Sequence, residues 1–250
     1  MLNNAAYFFI SFFFLILFFV VLNIIILFLI RKNVRWTMIV SAGIVYCIFA
    51  LFAVLVVSNK GAEINLPALM KAEAQRSMDM VMEITEKRGL SPVEIEEVKK
   101  MAKFFIVDLY PAWTALQILF IVFLNYFVVR LFALKQYKKT GYFPVFHLWF
   151  LDEKVMWIFI LSLAGVALGW KTPELRGIAM NIGFVLGVVY GVCGFSVAGF
   201  YMKKFKAGVF MQGIIYIIMA FWLLPIMVLT GALDTWFNFR RIEKGGAVWR

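Results

Sequence analysis

The sequence predicts an all-α fold, a polytopic membrane helix bundle of about six transmembrane helices plus an amphipathic helical hairpin. Three observations lead there. Of the 250 residues, 64% are hydrophobic and only 16% charged, whereas soluble domains are about half apolar and about a quarter charged. A soluble fold of this length has too little interior to hide that much apolar surface, while a lipid solvent lets apolar side chains face outward. The apolar residues also form continuous runs, most of them near the roughly 20 residues that cross about 30 Å of hydrocarbon. Finally, the cations behind the formal charge of +11 stand in short clusters between those runs, as membrane-flanking residues do.

The first run extends from Ala5 to Ile30, interrupted by Ser11 and Asn23 alone, and the first charged side chain is Arg31. It lacks the cationic start, short apolar core and small-residue cleavage site of a secretory signal, so it is expected to stay as a span. The second run is Trp36 to Val57, the third Leu109 to Val129, and the fourth the shorter Val155 to Trp170. Gly177 to Met202 and Ala207 to Leu233 complete the set. Helices are the expected form, because their backbone hydrogen bonds are internal, and continuous runs do not suit the alternating strands of a barrel.

Residues 61–108 break the pattern with mixed charge. Leu66, Met70, Ala74, Met78 and Val81 recur at helical spacing. Lys87 and Arg88 followed by Gly89 suit a helix end. Ser91-Pro92-Val93-Glu94 reads as a capping box opening a second helix, whose stripe continues through Ile95, Val98, Met101 and Phe105. Pro111 then interrupts the entry to the third span. The chain thus divides into spans one and two (1–60), the hairpin (61–108), spans three to six (109–234) and a basic tail (235–250), within a single membrane domain.

Orientation is contested by the cations themselves. Arg31, Lys32 and Arg35, then Arg130 with Lys135, Lys138 and Lys139, then Lys203, Lys204 and Lys206 share one side if six spans cross. Making that side cytoplasmic leaves both termini outside, yet the tail cations Arg240, Arg241, Lys244 and Arg250 favour the cytoplasm. The first span, with three cations just after it, argues for outside termini.

Several residues could carry function. Gly183, Gly187 and Gly191 recur every fourth position in the fifth span, and Gly165 and Gly169 form a second pair in the fourth. Such faces allow close helix packing or a contact with a partner membrane protein. Gln117, Asn125 and Asn181 are polar at membrane depth; they could bond between helices or line a polar pocket for a neutral or zwitterionic solute. Asp234, Trp236 and Arg240 form an interface motif in which the charges could pair and the indole could anchor.

Other chemistries find no support. A catalytic site would need a nucleophile beside a base, paired carboxylates in a cleft or a metal set, and no such motif appears, so no enzyme is expected. The single histidine, His147, cannot build a zinc site without further ligands, and Cys47 and Cys193 have no CxxC neighbour. No cofactor is implied. The basic charge points to anionic headgroups of the lipid bilayer rather than to nucleic acid, since no RNA-binding module is present.

Three stretches resemble the YybS-like bacterial integral membrane proteins, the domain-of-unknown-function 2232 family. They are Asn65-Leu66-Pro67 through Glu73-Ala74-Gln75-Arg76-Ser77, then Pro111 with Asn125-Tyr126, and Gly231 through Arg240. The likeness covers roughly residues 60–241 and implies a multi-pass protein of a bacterial cytoplasmic membrane. The family is distantly similar to the S components of energy-coupling-factor vitamin transporters, which implies a solute-binding module and both termini in the cytoplasm. A non-catalytic scaffold or regulator binding another membrane protein is the alternative.

Overall fold

A computed structural model describes residues 4–32, 34–58, 66–88, 90–136, 145–169 and 172–241. These residues form helices without a strand among them: α1 (Asn4–Arg31), α2 (Trp36–Ser58), α3 (Leu66–Glu86), α4 (Pro92–Ala102), α5 (Tyr110–Gln136), α6 (Glu153–Leu168), α7 (Pro173–Lys204), α8 (Val209–Trp222) and α9 (Leu224–Phe237). A π-helical stretch, Lys103–Asp108, joins α4 to α5, and a 3₁₀ turn, Phe146–Leu148, precedes α6. The all-helical membrane architecture expected from the sequence is what the chain adopts.

The span count differs from the sequence expectation. Among the described residues, four helices are long and apolar enough to cross a membrane, α1, α2, α5 and α7, and a fifth span exists there only if α8 and α9 are joined across a 102° bend. The expected sixth span, Ala207 to Leu233, is therefore not one continuous helix. The reason lies at Pro225, two residues past the break at Leu223. Proline lacks the N–H that would bond four residues back, and its ring clashes with that carbonyl. The expected fourth span, now α6, has 16 residues and reaches only about 24 Å. It begins at the carboxylate of Asp152, which accepts from Lys154 N at 2.9 Å and caps the helix. Trp170 lies outside the described residues.

The chain divides into two compact units. The first holds α1, α2 and α5 from Ala115 onward. There Gly43 of α2 meets Val122 of α5, where an added Cβ would lie 2.7 Å from a valine methyl. Tyr46 stacks on Phe18 of α1 at 5.3 Å and donates to the Phe18 carbonyl at 3.1 Å. Leu22, Ile26, Ile39 and Val122 are fully enclosed there.

The second unit holds α3 from Pro67, α4, the start of α5, and α6 to α9. Its hairpin keeps the expected signals: Ser91 and Glu94 form the reciprocal capping box, and Ala74 and Met78 of the expected stripe are buried in α3, as is Thr85. Hydrogen bonding from Ser91 holds the Glu94 carboxyl below its ordinary value. The stripe of α4 runs differently from expectation. Ile95 and Val98 turn inward and lead to the buried Ala102, while Met101 and Phe105 are exposed. The 3-4 spacing of an α-helix selects Ala102, one position beyond Met101. Gly89 lies outside the described residues.

The hub of this unit is α7. α6 packs antiparallel against it through small residues: Gly165 meets Ala179, Gly169 meets the Arg176 backbone, and Gly183 meets Ser162. On another side α9 approaches so closely that a Cβ on Gly194 would overlap the Met227 carbonyl, and one on Gly231 the Tyr190 carbonyl. Met156, Phe159, Tyr190 and Ala232 form the apolar core between the three helices.

Candidate functional site

A buried ionic centre occupies one end of the second unit. α9 stops at Phe237, and Asn238 takes a left-handed conformation, φ 43°, which asparagine tolerates better than most residues. That reversal folds the chain back so that Arg240 reaches Asp234 across the turn. The guanidinium Nη2 donates to Asp234 Oδ2 at 2.7 Å and Nε donates to the same oxygen at 3.2 Å. Nη1 donates to Ser196 Oγ of α7 at 2.8 Å and to the His147 carbonyl at 2.9 Å. Nη2 also donates to the Trp149 carbonyl at 2.8 Å, and the Ser196 hydroxyl donates to that carbonyl at 3.1 Å.

The Arg240 and Asp234 side chains are only 1% and 4% exposed. Taking both charges out of water costs several kcal/mol each. The cost is offset because every guanidinium N–H finds an acceptor in fixed geometry. One atom is left over. Asp234 Oδ1 is buried and has no hydrogen-bond partner. A buried acceptor of this kind is costly to leave unsatisfied.

Of the interface motif, then, the structure brings Asp234 and Arg240 together inside the protein, while Trp236 is 44% exposed and lies beside Trp157 at 6.2 Å. Ser196 and the two carbonyl acceptors had no signal of their own. A serine in an apolar helix is common, and a backbone carbonyl can be supplied by any residue.

His147 itself stands at the rim. Partial burial, with Lys203 and then Arg240 nearby, pushes its imidazole below the ordinary 6.5. The unfolded chain therefore takes up a proton that the folded protein resists. Stability should fall as pH drops through about 6.5, until the folded imidazole protonates too. Melting curves recorded between about pH 7.5 and 5.5 should show wild type losing ground to His147→Gln; parallel losses would contradict the assignment.

The three amides are divided between the two units. Gln117 is exposed and Asn125 buried in the first unit, where the Asn125 amide donates to Ile121 O of its own helix at 2.7 Å. Asn181 belongs to the second unit and makes a different connection. Its Oδ1 accepts from Ala112 N at 2.9 Å and its Nδ2 donates to Asp108 O at 2.8 Å and Gly177 O at 2.9 Å. The carboxamide thus replaces the Ala112-to-Asp108 helical bond that is lost where the π-helix and Pro111 interrupt the chain. Asn181→Leu should cost about 2–3 kcal/mol, because it leaves both backbone groups unpaired. An unchanged unfolding midpoint would show that water serves as well.

The glycine face splits likewise. Gly165, Gly169 and Gly183 face the α6–α7 seam, and Gly191 meets Val228 of α9 at ordinary distance. Gly187 meets nothing, while the closest crossing uses Gly194 and Gly231. Gly194 falls three residues after Gly191, off the four-residue repeat.

Fold and site together define a multi-pass helical membrane protein with a buried ion pair near its C-terminus. The chain belongs to the family described as "Predicted membrane protein (DUF2232)", whose model matches residues 5–235. No curated protein and no solved structure matches it.

Proposed function

We propose that this protein is a non-catalytic, solute-binding module of a bacterial cytoplasmic membrane, and that Asp234 Oδ1 is the atom that receives the solute. The unpartnered buried oxygen carries the reading. Its neighbours define the solute class. Arg240 already balances the carboxylate charge, so an added net charge would be buried without compensation. A neutral or zwitterionic molecule offering an N–H or O–H donor satisfies the oxygen without that cost. The distant similarity of the family to transporter S components, an analogy at the level of fold, agrees with such a role.

The test is a thermal-shift screen of the purified protein against a broad panel of neutral and zwitterionic metabolites. A saturable rise in melting temperature is expected, and it should disappear in Asp234→Asn while that variant remains helical. No shift across the panel, or one unchanged in the variant, would count against the reading.

A second reading, a scaffold for another membrane protein, is favoured by the open surface at Gly187. On that reading Gly187→Leu abolishes co-purification of the partner without unfolding the bundle. Unchanged co-purification would remove this face from consideration.

A further inference from the structure

We infer that α8 and α9 form a re-entrant pair that enters and leaves the membrane on the same side, and that the returning segment completes a cationic face for anionic phospholipid headgroups. The contacts along α7 act as a depth scale at about 1.5 Å per residue. Just before α8, Ala207 N donates to Met202 O at 2.9 Å, so the pair starts at the C-terminal end of α7. Past the 102° bend, Met227 lies against Gly194, Val228 against Gly191 and Gly231 against Tyr190. Tyr190 lies about 21 Å in from Lys204. The path then turns outward: Arg240 bonds Ser196, and the Phe239 carbonyl accepts from the Tyr201 hydroxyl at 2.9 Å. Entry at Met202 and exit at Tyr201 place both ends of the pair at one end of α7.

A continuous crossing would have delivered residue 239 to the Pro173 end instead. The ionic centre explains why it does not, since Arg240 ties the returning chain to α7 and to the carbonyls of His147 and Trp149. The return also settles the conflict among the cations. Arg241 now shares a face with Lys203, Lys204 and Lys206, all exposed. Around them stand Phe205, Val209 and Phe210, which are 76%, 87% and 83% exposed. Exposed apolar side chains interleaved with lysines suit the boundary between acyl chains and headgroups, and the charge selects anionic lipid. The positive-inside rule makes this face, Arg241 included, cytoplasmic. That differs from the outside placement expected from six crossings.

The test is labelling with a membrane-impermeant maleimide in intact cells and in inverted vesicles, on a full-length background with Cys47 and Cys193 replaced. Phe205→Cys and Arg241→Cys should label only in inverted vesicles, and Leu175→Cys, at the other end of α7, only in intact cells. Arg241→Cys labelling together with Leu175→Cys would overturn the re-entrant path. For the lipid face, the full chain in nanodiscs of mixed phosphatidylglycerol and phosphatidylcholine should retain phosphatidylglycerol in native mass spectra. Each Lys→Gln change at 203, 204 or 206 should weaken that preference by about fivefold. Retention indifferent to those changes, or displaced fully by inorganic phosphate, would overturn the lipid assignment.

Discussion

Arg240→Met is expected to destabilise the protein by about 3–5 kcal/mol, the largest loss foreseen for any single charge among the described residues. The substitution leaves the Asp234 carboxylate, 4% exposed, without its counterion. It also leaves Ser196 Oγ and the His147 carbonyl without their donor, and the Trp149 carbonyl with the Ser196 hydroxyl in place of two donors. The comparison that isolates the ion pair is the double variant Arg240→Met with Asp234→Leu. With both charges gone, about half of the loss should return, since replacing a whole buried pair is far less damaging than breaking it. Unfolding free energies measured in bicelles for the two singles and the double provide the cycle. A single variant as stable as wild type would mean that water reaches Asp234 and that the centre is not buried.

Gly231→Ala is the second large effect. The added methyl would overlap the Tyr190 carbonyl and lie 2.7 Å from Gly194 N. Both obstacles are backbone of a long helix, so relief requires α7 and α9 to separate. The expected cost is about 3 kcal/mol, at the upper end for overpacking, and the separation should also loosen the core around Tyr190 and Ala232. Gly187→Ala is the matched control, because a Cβ there meets nothing and alanine favours the helix by about 1 kcal/mol. Melting temperatures of the two variants should therefore move in opposite directions. A tolerated Gly231→Ala would show that the α7–α9 crossing is looser than its geometry.

The helical membrane class was legible because it rests on run length and hydropathy, which need no knowledge of contacts. The Ser91 capping box was legible for the same reason, being set within four consecutive residues. Where expectation and structure part, the deciding information is not local. Ala207 to Leu233 is apolar enough for one span, but Pro225 inside it carries the sharper message, since a helix cannot continue unbroken through it without compensation. Reading the run by hydropathy alone hid the turn.

The site shows the same division. Asp234 and Arg240 could be paired from sequence because they are six residues apart and flank an asparagine. Asn181 could be recognised as a polar group needing a partner, but not as the surrogate for a helical bond across 69 residues. Gly194 escaped the four-residue repeat because a steep, close crossing needs one glycine from each helix rather than a long face on either.

The measurement that addresses the central claim most directly is native mass spectrometry of the protein released gently from its own host membrane, beside Asp234→Asn prepared identically. A retained small, uncharged or zwitterionic molecule that is lost in Asp234→Asn is the predicted result. A solute retained equally by both, or a retained protein partner with no solute in either, would contradict Asp234 as the receiving group.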